Sequence, residues 1–141
     1  MNTTTILSQA ENLASDEEKL MLLGNFLGEN MSSLEPVDLI RLLTPLVDIT
    51  RRIYEQNPVQ ETIADYVIAL IKLADNYIRD ERGWLAMPLL ARAEELLDDQ
   101  PDTEENAQWK CHSYFDIGEC YTMNTRRLLS QVTESASAPA N

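Results

Sequence analysis

The sequence predicts an all-α protein, built as a stack of antiparallel helical hairpins. Apolar side chains recur at three- and four-residue intervals along most of the chain, and no segment shows the period-two alternation of a strand. Four glycines and six prolines in 141 residues are also few for a protein with many tight β-turns. Hydrophobic residues make up 44% of the composition, so a chain of this length can bury one core of its own.

Capping and proline signals divide the chain into about six or seven helices. Ser15 and Glu18 form a capping box at the start of one helix. Pro36 lies in the first turn of the next, a position that tolerates proline. The pair Thr44-Pro45 either kinks this second helix or begins another one.

The central helix is the most apolar segment of the chain. It follows Pro58, and apolar residues cover more than one of its faces, which predicts burial on several sides. We expect it to end near Arg82-Gly83, with Gly83 as a capping residue. The next helix is expected over residues 84–99.

A last long helix begins at Thr103 and is expected to end at about Val132. Residues 133–141 are rich in serine, alanine and proline. They can bury too little apolar surface to offset the entropy of ordering them. The predicted organisation is therefore a single helical domain over residues 1–132, followed by a disordered tail over residues 133–141.

The formal net charge of −13 is the most unusual feature of the composition. Such a field repels phosphate backbones, so nucleic-acid binding is disfavoured. The acidity either serves solubility or attracts a basic partner, and a third interpretation is an inhibitor that mimics a nucleic acid. The run from Glu94 to Glu105 contains seven acidic residues and no basic one. It is either a solvated connection or a docking surface.

The two cysteines, Cys111 and Cys120, are nine residues apart and fall on roughly opposite faces of one helix. They cannot bridge there, and free thiols fit a reducing compartment. The longest apolar stretches are far shorter than the roughly 20 residues of a membrane span. We therefore expect a cytoplasmic protein without membrane contact.

No catalytic or metal site is predicted. His112 is the only histidine, and the sequence has no recognisable nucleophile turn or glycine-rich phosphate loop. Cys111, His112, Asp116 and Glu119 lie close together on one helix, but that face offers too few nitrogen or sulfur ligands for a transition metal. We expect a solvated helix face here, no cofactor and no enzymatic activity.

Three groups of residues repeat a common spacing. Each has a large apolar residue, an apolar–small pair that begins three residues later, and a large residue seven residues after the first. The groups are Leu20, Leu23-Gly24 and Leu27; Leu70, Leu73-Ala74 and Tyr77; and Tyr114, Ile117-Gly118 and Tyr121. Ala86, Leu90 and Ala93 follow the second group at the spacing of a partner helix. Over residues 66–121 the pattern resembles the tetratricopeptide repeat, which implies a short solenoid. An irregular helical bundle is the alternative.

The resemblance also implies a protein-binding groove, lined by the first helix of each hairpin. Carried over by position, it places partner-binding residues on two helices. These are Ile71, Lys72, Asp75 and Ile78, followed by Phe115, Asp116, Glu119 and Met123. Asp75, Asp116 and Glu119 would attract basic side chains, while Ile71, Phe115 and Met123 would anchor an apolar face. The same surface could instead pack against another helix of this chain.

These expectations combine into a protein-binding adaptor or chaperone-like module that holds a basic amphipathic segment of a partner protein. A homodimeric structural or assembly protein is one alternative, because the apolar faces of a short solenoid can close on a second copy. An acidic inhibitor that mimics a nucleic acid is the other.

Overall fold

The computed structural model describes residues 2–137, and over that range it contains six α-helices and no strand. The helices are α1 (Thr3–Glu11), α2 (Asp16–Asn30), α3 (Pro36–Gln56), α4 (Gln60–Arg79), α5 (Gly83–Asp98) and α6 (Glu104–Ser137). The predicted all-α class is confirmed for this part of the chain.

Each helix packs against the next one along the chain, and further contacts join α1 to α3 and α4 to α6. The helix α4 is central, since it contacts α3, α5 and α6. Its buried residues cover more than one face, in agreement with the apolar pattern that predicts a central helix. The likeness of the whole fold to a tetratricopeptide stack stays a prediction.

The N-terminal helices begin at side-chain caps. The hydroxyl of Ser15 accepts a hydrogen bond from the Glu18 amide at 3.1 Å, as the capping-box pattern predicts. The helix α1 was not predicted, although Asn2 caps it by accepting from the Thr5 amide at 2.8 Å. Asn2 is a typical capping residue, so a signal for this short helix is present in the sequence.

The Thr44-Pro45 pair neither ends nor begins a helix, because α3 runs through it. The Thr44 hydroxyl donates to the carbonyl oxygen of Ile40 at 2.7 Å, one turn back along α3. Leu43 and Leu46, on either side of the pair, are buried in the core. We attribute the continuity of α3 to this burial, which offsets the loss of the backbone hydrogen bond that Pro45 cannot donate.

The turn from α4 to α5 differs from its predicted form. Glu81, with φ 60°, adopts the left-handed conformation at this turn. Gly83 is the first residue of α5 and lies against α6. A Cβ atom at Gly83 would stand 3.4 Å from Sδ of Met123 and 3.5 Å from Cα of Cys120. Such a Cβ atom would make ordinary van der Waals contacts with α6, and Gly83 does not cap α4.

The helices α4, α5 and α6 meet around small, fully buried side chains. Ala74, Ala86 and Cys120 belong to one buried cluster and have no exposed surface. The small side chains let the helix backbones approach closely. The corresponding glycines of the other two groups, Gly24 and Gly118, are exposed, and a Cβ atom at either would have no neighbouring atom within 4 Å. Close packing at this repeat position is therefore limited to Ala74.

The helix α6 is the longest element, with 34 residues. Thr103 caps it by accepting a hydrogen bond from the Asn106 amide at 3.1 Å, which places its start as predicted. It continues to Ser137, five residues past the predicted end at Val132, because an established helix propagates at little cost through alanine, serine and glutamate. Residues 138–141 of the predicted tail lie outside the described range.

Candidate functional site

A groove of about 580 Å³ lies between α4 and α6 and is called here the α4–α6 groove. Five of the eight predicted partner-binding residues line it. They are Asp75, Ile78, Phe115, Asp116 and Glu119. Arg79, Cys111 and His112 complete its walls. Most of the predicted partner-binding residues thus lie at the α4–α6 groove.

The other three candidates lie elsewhere. Ile71 is fully buried in the core with residues of α5, so its assignment to a partner-facing surface is corrected. It is buried because the central helix α4 is covered on several sides. Lys72 lines a separate groove between α2, α3 and α4. Met123 lies in a depression next to the α4–α6 groove. Phe115 and Glu119 line both the depression and the groove.

Three titratable side chains converge at the floor of the α4–α6 groove. Nε2 of His112 lies 3.0 and 2.9 Å from the two carboxylate oxygens of Asp75. The same nitrogen lies 3.3 Å from Oδ2 of Asp116. Asp75 belongs to α4, while His112 and Asp116 are one turn apart on α6. We call this group the Asp–His–Asp cluster.

Asp116 is the buried member of the cluster. Its side chain is only 9% exposed, and its Oδ2 atom has no hydrogen-bond partner. Burial raises the pKa of Asp116 to about 8, and a hydrogen bond of the protonated carboxyl to Asp75, together with the negative charges of Asp75 and Glu119, adds to that shift. The expectation of a solvated helix face is therefore corrected for Asp116. Cys111, His112 and Glu119 of the same group are exposed, as expected.

These contacts reduce the negative charge that the groove presents to a ligand. The raised pKa of Asp116 favours its neutral form, and Asp75 is engaged by His112. Among the three predicted acidic residues, Glu119 is the one with an exposed side chain and no cluster contact. Asp116 is thus not available as a surface charge for a basic ligand.

The outward face of α6 carries a second feature, which was not predicted from the sequence. Exposed small, apolar and aromatic residues follow each other at alternating intervals of three and four along the helix. They are Ala107, Cys111, Tyr114, Gly118, Tyr121, Thr125, Leu128 and Val132, called here the α6 stripe. The exposed fractions of Tyr121, Leu128 and Val132 are 61%, 56% and 64%.

The signal for the α6 stripe is present in the sequence, because intervals of three and four describe the seam of a coiled coil. Tyr114, Gly118 and Tyr121 were instead assigned to repeat packing within the chain. In the part of the chain that the structure describes, no helix follows α6 to cover them. Phe115 and Leu129, which are 66% and 61% exposed, flank the stripe on one side.

A third surface is a groove of about 540 Å³ between α2, α3 and α4. Leu20, Met21 and Ile68 contribute apolar walls, and the exposed glycines Gly24 and Gly28 leave room along α2. Asp65 and Lys72 provide the charged groups at this groove. It is open and mostly apolar.

Two nucleophilic side chains of α6, Cys120 and Ser113, are buried. Burial raises the pKa of the Cys120 thiol, and the charges of Asp116 and Glu119 raise it further, which keeps the sulfur protonated. The Ser113 hydroxyl is buried without a hydrogen-bond partner. The Asp–His–Asp cluster can hold a proton or a cation between its members.

Among the residues that the structure describes, no helix is both long and apolar enough to cross a membrane. Comparisons with protein-family models, with curated proteins and with solved structures found no match.

Proposed function

We propose that this protein is a helical binding module that docks an amphipathic helix of a partner protein along the α6 stripe. The α6 stripe is the observation that carries the proposal. It extends from Ala107 to Val132, which corresponds to about 37 Å of helix. Exposed apolar residues that share one face over such a length are unusual on a solvated helix and typical of an interface.

The spacing of the stripe defines the shape of its ligand. Residues at alternating intervals of three and four on one helix accommodate the side chains of a second helix packed alongside at a shallow angle. Tyr114 and Tyr121 supply large, rigid contact surfaces, which are common among the residues that dominate binding energy. Gly118 lies between them and would let the partner helix approach closely.

The charge of this protein indicates a second property of the partner, which is a basic surface. The net charge of −13 attracts a basic segment over long range and accelerates its association. The stripe itself carries no charged residue, so contact at short range is apolar. An amphipathic helix with an apolar stripe and lysine or arginine on its remaining faces satisfies both requirements.

Fluorescence anisotropy with a labelled synthetic helix of leucine and lysine tests this proposal. The double variant Tyr121→Ser/Leu128→Ser should weaken binding roughly 10- to 100-fold, because it removes two central contacts. The matched control is Met21→Ser/Val59→Ser, since these side chains are also exposed and apolar but lie on α2 and before α4. Equal affinity of the stripe variant and the native protein would refute the docking surface.

A second copy of this chain is the other candidate occupant. The positions on either side of the stripe favour it, because Lys110 is the single charged residue among them. Those positions are Gln108, Phe115, Thr122 and Leu129 on one side, and Lys110, Ile117, Asn124 and Gln131 on the other. Two copies could thus pair without like charges meeting. Sedimentation equilibrium decides: a dimer that Tyr121→Ser/Leu128→Ser dissociates would assign the stripe to self-association.

A further inference from the structure

We infer that Asp75, His112 and Asp116 form a binding site for a single divalent transition-metal ion. Their ligand atoms, one imidazole nitrogen and two carboxylate oxygens, all lie within 4.8 Å of one another. The inference is independent of the docking proposal, because it concerns the floor of the α4–α6 groove and not the α6 stripe.

The separations between the ligand atoms fit a common metal ion. Ligands about 2.0–2.1 Å from a metal stand about 2.9–3.4 Å apart in right-angle or tetrahedral arrangements. The Nε2 atom of His112 lies 2.9 Å from Asp75 Oδ2 and 3.3 Å from Asp116 Oδ2. The third separation, between the Asp75 and Asp116 oxygens, is within 4.8 Å, so a closer approach of these two side chains would complete the set of ligands.

The unpartnered oxygen of Asp116 supplies the independent support. This oxygen is buried, and the side chain that carries it is 9% exposed. Leaving the ionised form of such an oxygen without a partner costs free energy, and Nε2 of His112, at 3.3 Å, is already engaged by both Asp75 oxygens at 2.9 and 3.0 Å. A cation between the three groups would satisfy all of them at once.

The charges of the cluster are also balanced by a divalent ion. Two carboxylates and a neutral imidazole carry a charge of about −2 when the ion displaces the last proton. The groove leaves the site open on one side, where water could complete the coordination. The ion would join α4 to α6 through ligands from both helices.

The ligand set indicates which ions are preferred. An imidazole nitrogen favours zinc and its neighbours in the first transition series over magnesium or calcium, which select oxygen ligands. Two carboxylates also suit manganese, but affinity for such a mixed site rises toward zinc. We therefore expect zinc to bind more tightly than manganese and both to bind more tightly than magnesium.

The site is not evident from the sequence, because its ligands come from two helices. His112 and Asp116 are candidate ligands on one helix, where a second nitrogen or sulfur ligand is missing; α4 instead supplies a carboxylate, Asp75, 37 residues earlier than His112. An aspartate on a neighbouring helix cannot be paired with them from spacing alone. The packing of α4 against α6 brings Asp75 next to His112 and Asp116.

Isothermal titration calorimetry with Zn²⁺ tests the inference on the full chain after removal of metals with a chelator. We expect one site per chain, and a loss of at least about 10-fold in affinity for each of Asp75→Asn, His112→Gln and Asp116→Asn. These variants keep side-chain size, and circular dichroism verifies that they remain helical. Absence of Zn²⁺ binding to the native chain would overturn the inference.

Two controls separate the site from general attraction to an acidic protein. Asp98→Asn/Asp99→Asn removes two carboxyl groups from the acidic run, as Asp75→Asn/Asp116→Asn does from the cluster, and should leave the affinity unchanged. Cys111→Ser should also leave it unchanged, because that thiol lines the groove but is not in the cluster. Equal losses in both aspartate pairs, or loss of binding in Cys111→Ser, would overturn the assignment.

Discussion

The carboxylate of Asp75 on α4 lies 2.9 Å from the imidazole of His112 on α6, although the two residues are 37 positions apart along the chain. This contact connects the central helix with the last one at the groove. It also removes Asp75 from the set of free surface charges. This pair of side chains thus contributes both to the contact between α4 and α6 and to what the groove can bind.

Ala74 is predicted to be a position where added bulk is costly. It is fully buried in one cluster with Ala86, Leu90 and Cys120 from the adjoining helices. Ala74→Leu should lower the free energy of unfolding by about 1–3 kcal/mol, measured by urea denaturation, because no space exists for three additional carbons. Ala91→Leu, at an exposed position of α5, is the control and should be close to neutral. A neutral result at Ala74 would contradict the close packing of α4, α5 and α6.

Asp116 gives the metal-free protein a specific pH dependence. Its pKa is raised from 3.8 to about 8 by burial and by neighbouring carboxylates. The folded state therefore binds more protons than the unfolded state between these values, and stability falls as the pH rises through that window. Asp116→Asn cannot ionise, so its melting temperature should exceed that of the native protein by an amount that grows from about pH 4 to pH 8 and then stays constant.

The measurement is a series of thermal melts in the presence of a chelator. Glu119→Gln is the control, since Glu119 is exposed and should change the pH profile much less. A constant difference between Asp116→Asn and the native protein at all pH values would contradict the raised pKa.

Asp16 and Arg52 form a two-pronged ion pair between α2 and α3, with separations of 3.1 and 2.9 Å. The Arg52 hydrogen bonds hold the pKa of Asp16 below its usual value. A double-mutant cycle with Asp16→Asn and Arg52→Gln should give a coupling of about 0.2–1 kcal/mol at neutral pH, small because Arg52 is 42% exposed.

The sign of the pH effect at Asp16 is opposite to that at Asp116. A lowered pKa means that the stabilisation is present above the unfolded value near 3.8 and is lost as the pH falls through the folded pKa. The coupling should therefore vanish in acid. An equal coupling at pH 2 and pH 7 would show that packing and not charge joins these side chains.

Local signals predicted much of the fold. Ser15 and Thr103 begin helices where their side chains cap them, and the apolar α4 occupies the centre. Pro45 could not be placed from local rules, because the outcome depends on the burial of neighbouring leucines. Gly83 was assigned a capping role, whereas its environment is set by the approach of α6.

The candidate site was predictable only in part. The resemblance to the tetratricopeptide repeat implied a shared groove for Asp75, Ile78, Phe115 and Glu119, and these four residues line one groove. It could not show that Ile71 is covered by α5 or that Asp116 is buried beneath Asp75 and His112, since both follow from packing between helices. The spacing of the α6 stripe is present in the sequence, but whether its residues are exposed depends on which helices pack around α6.

The docking proposal is tested most directly by amide hydrogen exchange on the chain saturated with the leucine–lysine helix. We expect slower exchange along α6, strongest from Tyr121 to Val132, where the free helix is exposed and should open easily. The groove between α2, α3 and α4 should exchange as it does in the free chain. Unchanged exchange in α6, or protection confined to the groove around Met21 and Ile68, would contradict the account.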